Sequence, residues 1–347
     1  MILTVNEVMI IKLSKLLIMK CIAAMACIAI LLGGYIYNMA QPVSSLPGAP
    51  VLVNIKSGMS AADIGSVLYR QGLIKNIAVF RALIHVQRLE NSLQAGEYSF
   101  TSAMSVQRII TMIVKGEVTY LQFTVPEGFT IDQIAKLMEE KQLVTATNFK
   151  QAAKDYLPFD YIQPANNVNY KPEGFLFPDT YRVPRGSKEV DLLRVMTDQF
   201  NRLFTADMRN RAKEQGLSVR EAIILASLVE KEALVAAERP IIARVFMNRL
   251  KQGMPLQSCA TIQYILGYPK AELTIKDTEL PSPYNTYQNS GLPPGPIANP
   301  GLASIKAILF PAETDYLYFV ADKSGKHHFS KTYEEHLAAI DVISAAN

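Results

Sequence analysis

The sequence is short of the residues that mark several common protein classes. Of its 347 residues none is tryptophan, three are cysteine and 19% are charged, below the ~25% of an average soluble chain. Three cysteines are too few for a disulfide-dense scaffold or a cysteine-rich zinc module. The net charge of +4 is small and forms no basic stripe, so we expect no nucleic-acid binding. An apolar content of 49% excludes a disordered chain.

The shortage of charge is greatest near the N-terminus. No charged residue occurs from Cys21 to Tyr37, and Leu16–Met19 extend this apolar run across the single Lys20. A helix needs about 20 apolar residues to cross a bilayer, and a lysine at its edge can reach the headgroups. We therefore predict a single transmembrane helix over residues 16–37.

The basic residues around this segment predict its orientation. Lys12, Lys15 and Lys20 lie at its start, and no further lysine or arginine occurs before Lys56. Because positive charge stays in the cytoplasm, we expect a cytoplasmic N-terminus and an exported body. A cleaved signal peptide is the alternative, although the apolar run exceeds the roughly 7–15 residues of a signal-peptide core. The body is exported in either case.

An internal repeat follows a proline-containing linker at residues 41–50. The segments Ile55–Ile74 and Val125–Val144 align at a constant offset of 70 residues. Each has a short strand pattern, a glycine, then Ser60 or Thr130 as a helix N-cap before an amphipathic helix. We predict strand–helix–helix–strand modules that occur twice before about residue 204, and such duplicated modules more often bind than catalyse.

A long apolar helix is predicted over residues 218–238. Ser218 and Glu221 have the spacing of an N-terminal capping box. Pro240 permits a break, and a second helix is expected to run to Lys251. Further towards the C-terminus we predict a buried strand at residues 316–321 and a helix at residues 332–345.

Glu230 and Glu232 interrupt the apolar pattern of the first of these helices. Burial raises the pKa of a carboxyl group, as a general acid near neutral pH requires. On helical spacing, Glu232 lies on the bulkier face and Glu230 on the face with a hydroxyl, so Glu232 is the predicted acid. Glu230 is expected to pair with a base, for which Arg244 and Arg249 are candidates. The alternative is that both glutamates only form ion pairs at the edge of the core.

The loop at residues 284–300 is rich in proline and polar groups. Tyr284, Asn285, Thr286 and Tyr287 offer hydroxyls, an amide and flat rings, which suit the recognition of sugars. A purely structural Ω-loop is the alternative.

No motif for a metal or a cofactor accompanies these residues. The four histidines lack HExxH spacing, and there is no P-loop, GxGxxG or GxSxG motif, so neither a cofactor nor a catalytic metal is predicted. Cys259 has no partner in the exported part, and no histidine neighbours it in sequence, so we interpret it as a buried or incidental thiol rather than a nucleophile.

Several segments together resemble the endolytic murein transglycosylases (MltG type, also called YceG-like). The matching segments are AGEYSF at 95–100, EGFLFPDTY at 173–181, ILASLVEKEA at 224–233, RVFMNRL at 244–250, GMPLQS at 253–258, SPYNTY at 282–287, GLPPGPIANPG at 291–301 and YLYFVAD at 316–322. No single segment is specific, but the set extends over most of the chain.

The resemblance implies a single-pass protein of the bacterial inner membrane with a LysM-like peptidoglycan-binding region and an α+β fold. It implies a lyase that cuts glycan strands internally between N-acetylmuramic acid and N-acetylglucosamine, with Glu232 as the catalytic residue. It also suggests peptidoglycan synthases as candidate partners. One departure is Cys259, where the family commonly has aspartate. The predicted substrate-binding residues are Glu230, Gln257, Thr261, Tyr284, Asn285, Thr286, Tyr287 and Pro294.

The expected organisation has five parts: a cytoplasmic tail at 1–15, a transmembrane helix at 16–37, a linker at 38–50, a LysM-like region at 51–204 and a helix-rich catalytic domain at 205–347. Two other functions remain open from the sequence. One is a membrane-tethered peptidoglycan-binding scaffold without activity, and the other is a muramidase that hydrolyses the bond with water.

Overall fold

The structure is a computed structural model that describes residues 5–157, 159–162, 167–270 and 272–345, with side chains from Met19 onward. It has a mixed α+β architecture, as predicted, and two compact units. Unit 1 contains the chain up to Leu121 and Pro184–Gly186, and unit 2 contains Gln122–Val183 and the chain from Ser187. The predicted boundary between residues 204 and 205 separates a binding region from a catalytic domain, and this division of function stays a prediction.

The described residues form fourteen α-helices and six short strands. The helices are α1 (Val5–Ala40), α2 (Ala61–Arg70), α3 (Ile77–Val86), α4 (Val106–Lys115), α5 (Ile131–Glu140), α6 (Ala146–Lys154), α7 (Glu189–Leu203), α8 (Ala206–Glu214), α9 (Val219–Glu232), α10 (Arg239–Lys251), α11 (Cys259–Leu266), α12 (Ile275–Thr278), α13 (Leu302–Leu309) and α14 (Tyr333–Ala345). The strands are β1 (Val51–Ile55), β2 (Gly96–Phe100), β3 (Tyr120–Thr124), β4 (Thr180–Pro184), β5 (Tyr318–Ala321) and β6 (His327–Ser330). They pair as β1–β2, β3–β4 and β5–β6.

Helix α1 contains a segment, Met19–Ala40, that is long and apolar enough to cross a membrane. This segment overlaps the predicted span at 16–37. Its C-terminal end is part of the fold of unit 1, because Asn76 Nδ2 donates to the hydroxyl of Tyr35 at 3.3 Å and Lys75 Nζ donates to the carbonyl of Asn38 at 3.3 Å. Ala40 packs against the core of unit 1.

The first copy of the sequence repeat forms β1, α2, α3 and β2, which we call repeat 1. Its strands are antiparallel, with Val53 opposite Tyr98, and alternate residues of β1 point into the core. Ser60 and Asp63 form the capping box that begins α2. The linker before β1 has neither helix nor strand, and Ser44 N–H donates to the carbonyl of Ser102 at 3.0 Å.

The second copy forms β3, α5, α6 and β4, which we call repeat 2. Thr130 and Gln133 form the capping box of α5, so both predicted N-caps are present. The core of repeat 2 lies between these helices, the sheet and α7, and its fully buried members are Ile131, Ile134, Ala135, Met138, Phe149, Ala153, Leu176, Leu192, Leu193 and Met196. The strand–helix–helix–strand order therefore occurs twice.

The core of the remaining part of unit 2 surrounds α9. Ser218 and Glu221 form the predicted capping box, and every residue from Ala222 to Val229 is buried. Helices α8, α10, α11 and α13 contact α9. Strand β5 is half-buried, so the prediction of a buried strand was wrong in its degree of burial.

The predicted end of this helix at residue 238 was also wrong. Helix α9 ends at Glu232, Ala233 is extended, and a 3₁₀ turn at Ala236–Glu238 leads into α10. Pro240 lies in the first turn of α10, where the missing N–H of a proline is not needed. The interruption therefore comes before the proline and places Glu232 at a helix terminus.

Candidate functional site

The site is built around Glu232, the last residue of α9. The residue is partly exposed, but its carboxyl group is enclosed. Its Oε1 accepts a hydrogen bond from the hydroxyl of Ser258 at 2.5 Å, and the carboxylate also accepts from the N–H of Ala260. Ser258 is the N-cap residue of α11, and Ala260 lies in its first turn. Two helix ends therefore meet at this carboxyl group.

Burial raises the pKa of Glu232 above its ordinary value, and this effect is larger than the opposing ones. The hydrogen bonds from Ser258 and Ala260 and the electrostatic interaction with His327 lower the pKa of Glu232, in that order. The balance favours the protonated form while donors are in place for the carboxylate that remains after proton transfer. This is the pattern expected of a group that acts as an acid and then as a base.

Three residues near the hydrogen bond between Ser258 and Glu232 are exposed or half-buried: Gln257, which precedes Ser258 in the chain, Cys259 and Tyr287. Gln257 is exposed and has a positive φ of 49°, an uncommon backbone conformation for a residue other than glycine. Cys259 is also exposed, and its Sγ lies 3.1 Å from the hydroxyl of half-buried Tyr287. Burial raises the pKa of the Cys259 thiol, so both groups of this pair are protonated near neutral pH.

Thr261, Asn285 and Thr286 are buried and hold the segments that form this surface. Thr286 Oγ1 accepts from Ser258 N–H at 3.0 Å and lies 3.0 Å from Thr261 Oγ1. Asn285 Nδ2 donates to the carbonyls of Thr278 and Leu280, at 2.9 and 2.8 Å. These contacts fix the loop against α11, and direct contact of the three side chains with substrate stays a prediction.

Tyr284 and Pro294 lie elsewhere in the same loop. The ring of Tyr284 is buried and lies 4.9 Å from the ring of Tyr264, centroid to centroid. Burial raises the pKa of Tyr284 to about 12. Pro294 is half-buried. The structure thus brings Tyr287 close to Glu232, whose charge adds to burial in raising the pKa of the Tyr287 hydroxyl, whereas Tyr284 packs against α11. Gln257 directly precedes Ser258, the hydrogen-bond partner of Glu232.

Glu230 points to a different neighbour from Glu232. Its Oε2 accepts from the N–H of Gly301, the N-cap residue of α13, at 3.0 Å, and its Oε1 lies 3.8 Å from a guanidinium nitrogen of Arg239. The exposed Glu127 is close to the same group, since partial burial of its carboxyl and the charge of Glu230 raise the pKa of Glu127.

The predicted partners of Glu230 were wrong. Arg244 Nε donates to the carbonyl of Ala312 at 2.7 Å, and Arg249 donates to the carbonyls of Leu317 and Leu256 at 2.6 and 3.0 Å. The early end of α9 is the reason, because it turns the chain so that Arg239, rather than a residue farther along α10, meets Glu230.

Two buried glutamates outside the predicted set also support the site. Glu173 accepts from Ile131 N–H at 3.0 Å, from Asn299 Nδ2 at 3.1 Å and from the hydroxyl of Tyr264, on α11, at 3.4 Å. Burial raises the pKa of Glu173 to about 8. It stands in the quoted segment EGFLFPDTY, which could have drawn attention to it.

Glu238 is the second of these glutamates. Its Oε2 lies 2.8 Å from Nδ1 of buried His327, whose N–H also donates to it. The pair joins the 3₁₀ turn after α9 to strand β6. No local sequence pattern indicates this pair, because the two residues are 89 positions apart.

Within the described part of the chain, no group of three or more His, Cys, Asp or Glu side chains is placed to hold a metal ion.

Comparisons with known proteins agree with the resemblance seen in the sequence. Residues 53–342 match the sequence profile of the YceG-like family. A Bacillus subtilis protein named endolytic murein transglycosylase is 37% identical over 332 residues, which are 91% of each chain. A protein of the same name from Streptococcus pneumoniae strain D39 is 32% identical over 331 residues, which cover 87% of this chain and 60% of the relative.

A solved structure gives the same assignment. The crystal structure of a yceG-like protein from Listeria monocytogenes is 33% identical, covers 84% of this chain and 99% of its own, and superposes with a TM-score of 0.59. The extent of the profile match and the identity to full-length relatives establish that the chain belongs to the YceG-like family.

Proposed function

We propose that this chain is a membrane-anchored endolytic murein transglycosylase, a lyase that cuts peptidoglycan strands between N-acetylmuramic acid and N-acetylglucosamine. The observation that carries the proposal is the enclosed carboxyl group of Glu232, whose pKa is raised by burial and whose charge adds to burial in raising the pKa of the exposed Cys259. The names of the Bacillus and Streptococcus relatives support the same reaction class.

The proposed reaction needs one carboxyl group. Protonated Glu232 gives its proton to the glycosidic oxygen as the bond to C1 of N-acetylmuramic acid breaks. The carboxylate then takes the proton of the C6 hydroxyl of the same sugar, and the C6 oxygen bonds to C1 and closes a 1,6-anhydro ring. The proton returns to Glu232, and no water is consumed. The donors on Ser258 and Ala260 stabilise the carboxylate between the two transfers.

The surroundings of Glu232 support this route over hydrolysis. A hydrolase of the usual kind has a second carboxylate across the scissile bond. Glu230 is only two residues away, but it is occupied by Gly301 N–H and Arg239. Its role in the proposal is to hold the end of α9 against α13, so that Glu232 keeps its position.

The two repeats are proposed to be LysM-like modules that hold the glycan strand. Their strand–helix–helix–strand order and antiparallel pairing in repeat 1 support this assignment. In this proposal the region 51–204 binds peptidoglycan and the region 205–347 carries the catalytic residue. Association with peptidoglycan synthases stays a prediction.

The segment Met19–Ala40 is proposed to remain as a single-pass anchor in the inner membrane, with the body outside the cytoplasm. The contacts of Tyr35 with Asn76 and of Asn38 with Lys75 favour retention, because cleavage near residues 38–40 would remove groups that belong to the fold of unit 1.

The proposal is tested by incubating the full chain in detergent with peptidoglycan strands and analysing the products by mass spectrometry. We expect anhydro-muropeptides from the wild type and none from Glu232→Gln. Glu221→Gln is the matched control, since it lies on the same helix and glutamine also completes a capping box. It is expected to keep activity.

Each alternative function gives a distinct result in this assay. Products with reducing ends would identify a hydrolytic muramidase. Strand binding without any product from the wild type would identify a scaffold. Full activity of Glu232→Gln would contradict the assignment of the acid.

A further inference from the structure

The two repeats carry clefts at equivalent positions. In repeat 1 a cleft of about 690 Å³ lies between the start of α2 and the exposed side of α3, and in repeat 2 a cleft of about 430 Å³ lies between the start of α5, α6 and residues 169–170. Under the 70-residue offset of the repeat, three pairs of lining residues correspond: Ala62 with Asp132, Arg81 with Gln151, and Ile84 with Lys154.

The two clefts differ in chemistry. The cleft of repeat 1 is lined by four alanines together with Arg81, His85 and Glu90, and Nδ1 of His85 lies 2.8 Å from Oε1 of Glu90. In the cleft of repeat 2, Oδ1 of Asp132 lies 3.4 Å from Nζ of Lys150 and accepts from the hydroxyl of Tyr170 at 3.0 Å. The exposed Lys154 adds a second positive charge. This charged cleft of repeat 2 thus combines one carboxylate with two lysines, whereas the cleft of repeat 1 has no lysine among its lining residues.

The charged cleft is linked to the helix that carries donors for Glu232. Asn169, at its edge, donates to the hydroxyl of Tyr264 at 3.4 Å. Tyr264 stands on α11 four residues after Ala260, which is about 6 Å along a helix axis. The cleft is therefore close enough to Glu232 for a single glycan strand to reach both.

We propose that the cleft of repeat 2 binds the peptide stems of peptidoglycan, an inference that rests on the proposed function. A glycan strand is uncharged where its lactyl groups carry peptides, so the charges of the polymer are on the stems. Lys150 and Lys154 suit the carboxylates of a stem, and Asp132 suits the free amine of its diamino acid. The cleft then selects strands that still bear peptides.

The test measures binding rather than cleavage. The full-length Glu232→Gln protein in detergent is titrated with a disaccharide that carries a tetrapeptide stem with a free side-chain amine. Since an exposed ion pair is worth up to about 1 kcal/mol, we expect Asp132→Asn to weaken binding by about fivefold and the double change Lys150→Gln, Lys154→Gln by about tenfold. Two controls are expected to bind like the parent: Lys141→Gln, an exposed lysine at the end of α5 that does not line the cleft, and Arg81→Gln, which lines the cleft of repeat 1.

A second probe assigns the role of Asp132. Acetylating the amine of the stem should weaken binding to the parent by the same factor as Asp132→Asn, and the two changes together should cost no more than one. Equal binding of both probes to all variants would overturn the proposal. An equal loss on peptide-free strands would overturn it too, since the cleft would then bind the sugar chain. Because this test measures binding and not cleavage, its result can be interpreted even if the proposed enzymatic function fails.

Discussion

Replacing Glu173 by glutamine should remove much of the pH dependence of stability. Glu173 is 1% exposed, and burial raises its pKa from 4.5 to about 8. Between these two pH values the folded protein therefore keeps the proton of Glu173, whereas the unfolded chain has lost it. The contribution of this proton to stability is complete below pH 4.5, declines between pH 4.5 and 8, and is lost as the pH rises through 8. Glutamine is similar in shape and does not titrate.

The expected size follows from these values. Each tenfold change in proton affinity is worth about 1.4 kcal/mol, so the free energy of unfolding should fall by about 2–3 kcal/mol between pH 5.5 and 7.5 because of this group alone. In Glu173→Gln the decline should be smaller by that amount. Glu214→Gln, an exposed glutamate on α8 paired with Arg211, should behave like the wild type.

Urea unfolding of the full chain in detergent, followed by circular dichroism because tryptophan is absent, measures these differences at each pH. Parallel pH profiles for wild type and Glu173→Gln would refute the reasoning. They would mean that Glu173 stays ionised in the folded protein, held by the donors from Ile131, Asn299 and Tyr264.

Three further substitutions address the site and its support. Ser258→Ala removes a donor that lowers the pKa of Glu232, so the alkaline limit of cleavage should move to higher pH. We also expect kcat to fall about tenfold, and an unchanged profile of kcat against pH would contradict this prediction. Cys259→Asp places a like charge near Glu232 and should also move the alkaline limit upward, measured as kcat against pH. Gly301→Ala would bring a methyl group against the carboxylate of Glu127, an exposed side chain that can move aside, so urea unfolding should show a loss of no more than about 1 kcal/mol.

Features that depend on neighbouring residues could be predicted from the sequence. The capping boxes at Ser60, Thr130 and Ser218 are all present, because each needs only a side chain three residues away. The repeat was visible for a similar reason, since its glycines, caps and apolar positions recur at one offset.

Features that depend on distant residues could not be predicted. Helix α9 ends at Glu232 without a glycine or proline, at the point where Ser258, 26 positions away, binds its side chain. The partner of Glu230 was missed because Gly301 lies 71 positions away and the turn to Arg239 follows from that helix end. Composition favoured Tyr284 as a sugar contact, but packing against Tyr264 buries its ring.

The contacts between α1 and repeat 1 have a mechanical consequence for the anchored protein. Hydrogen bonds through Tyr35 and Asn38 join α1 to repeat 1, so we expect the helix and this repeat to move together as one rigid body. Transmembrane helices tilt to match the thickness of the bilayer. In the proposed anchored state, a change in bilayer thickness would therefore rotate repeat 1 together with α1. The thickness of the bilayer would thus set the angle at which repeat 1 meets the cell wall.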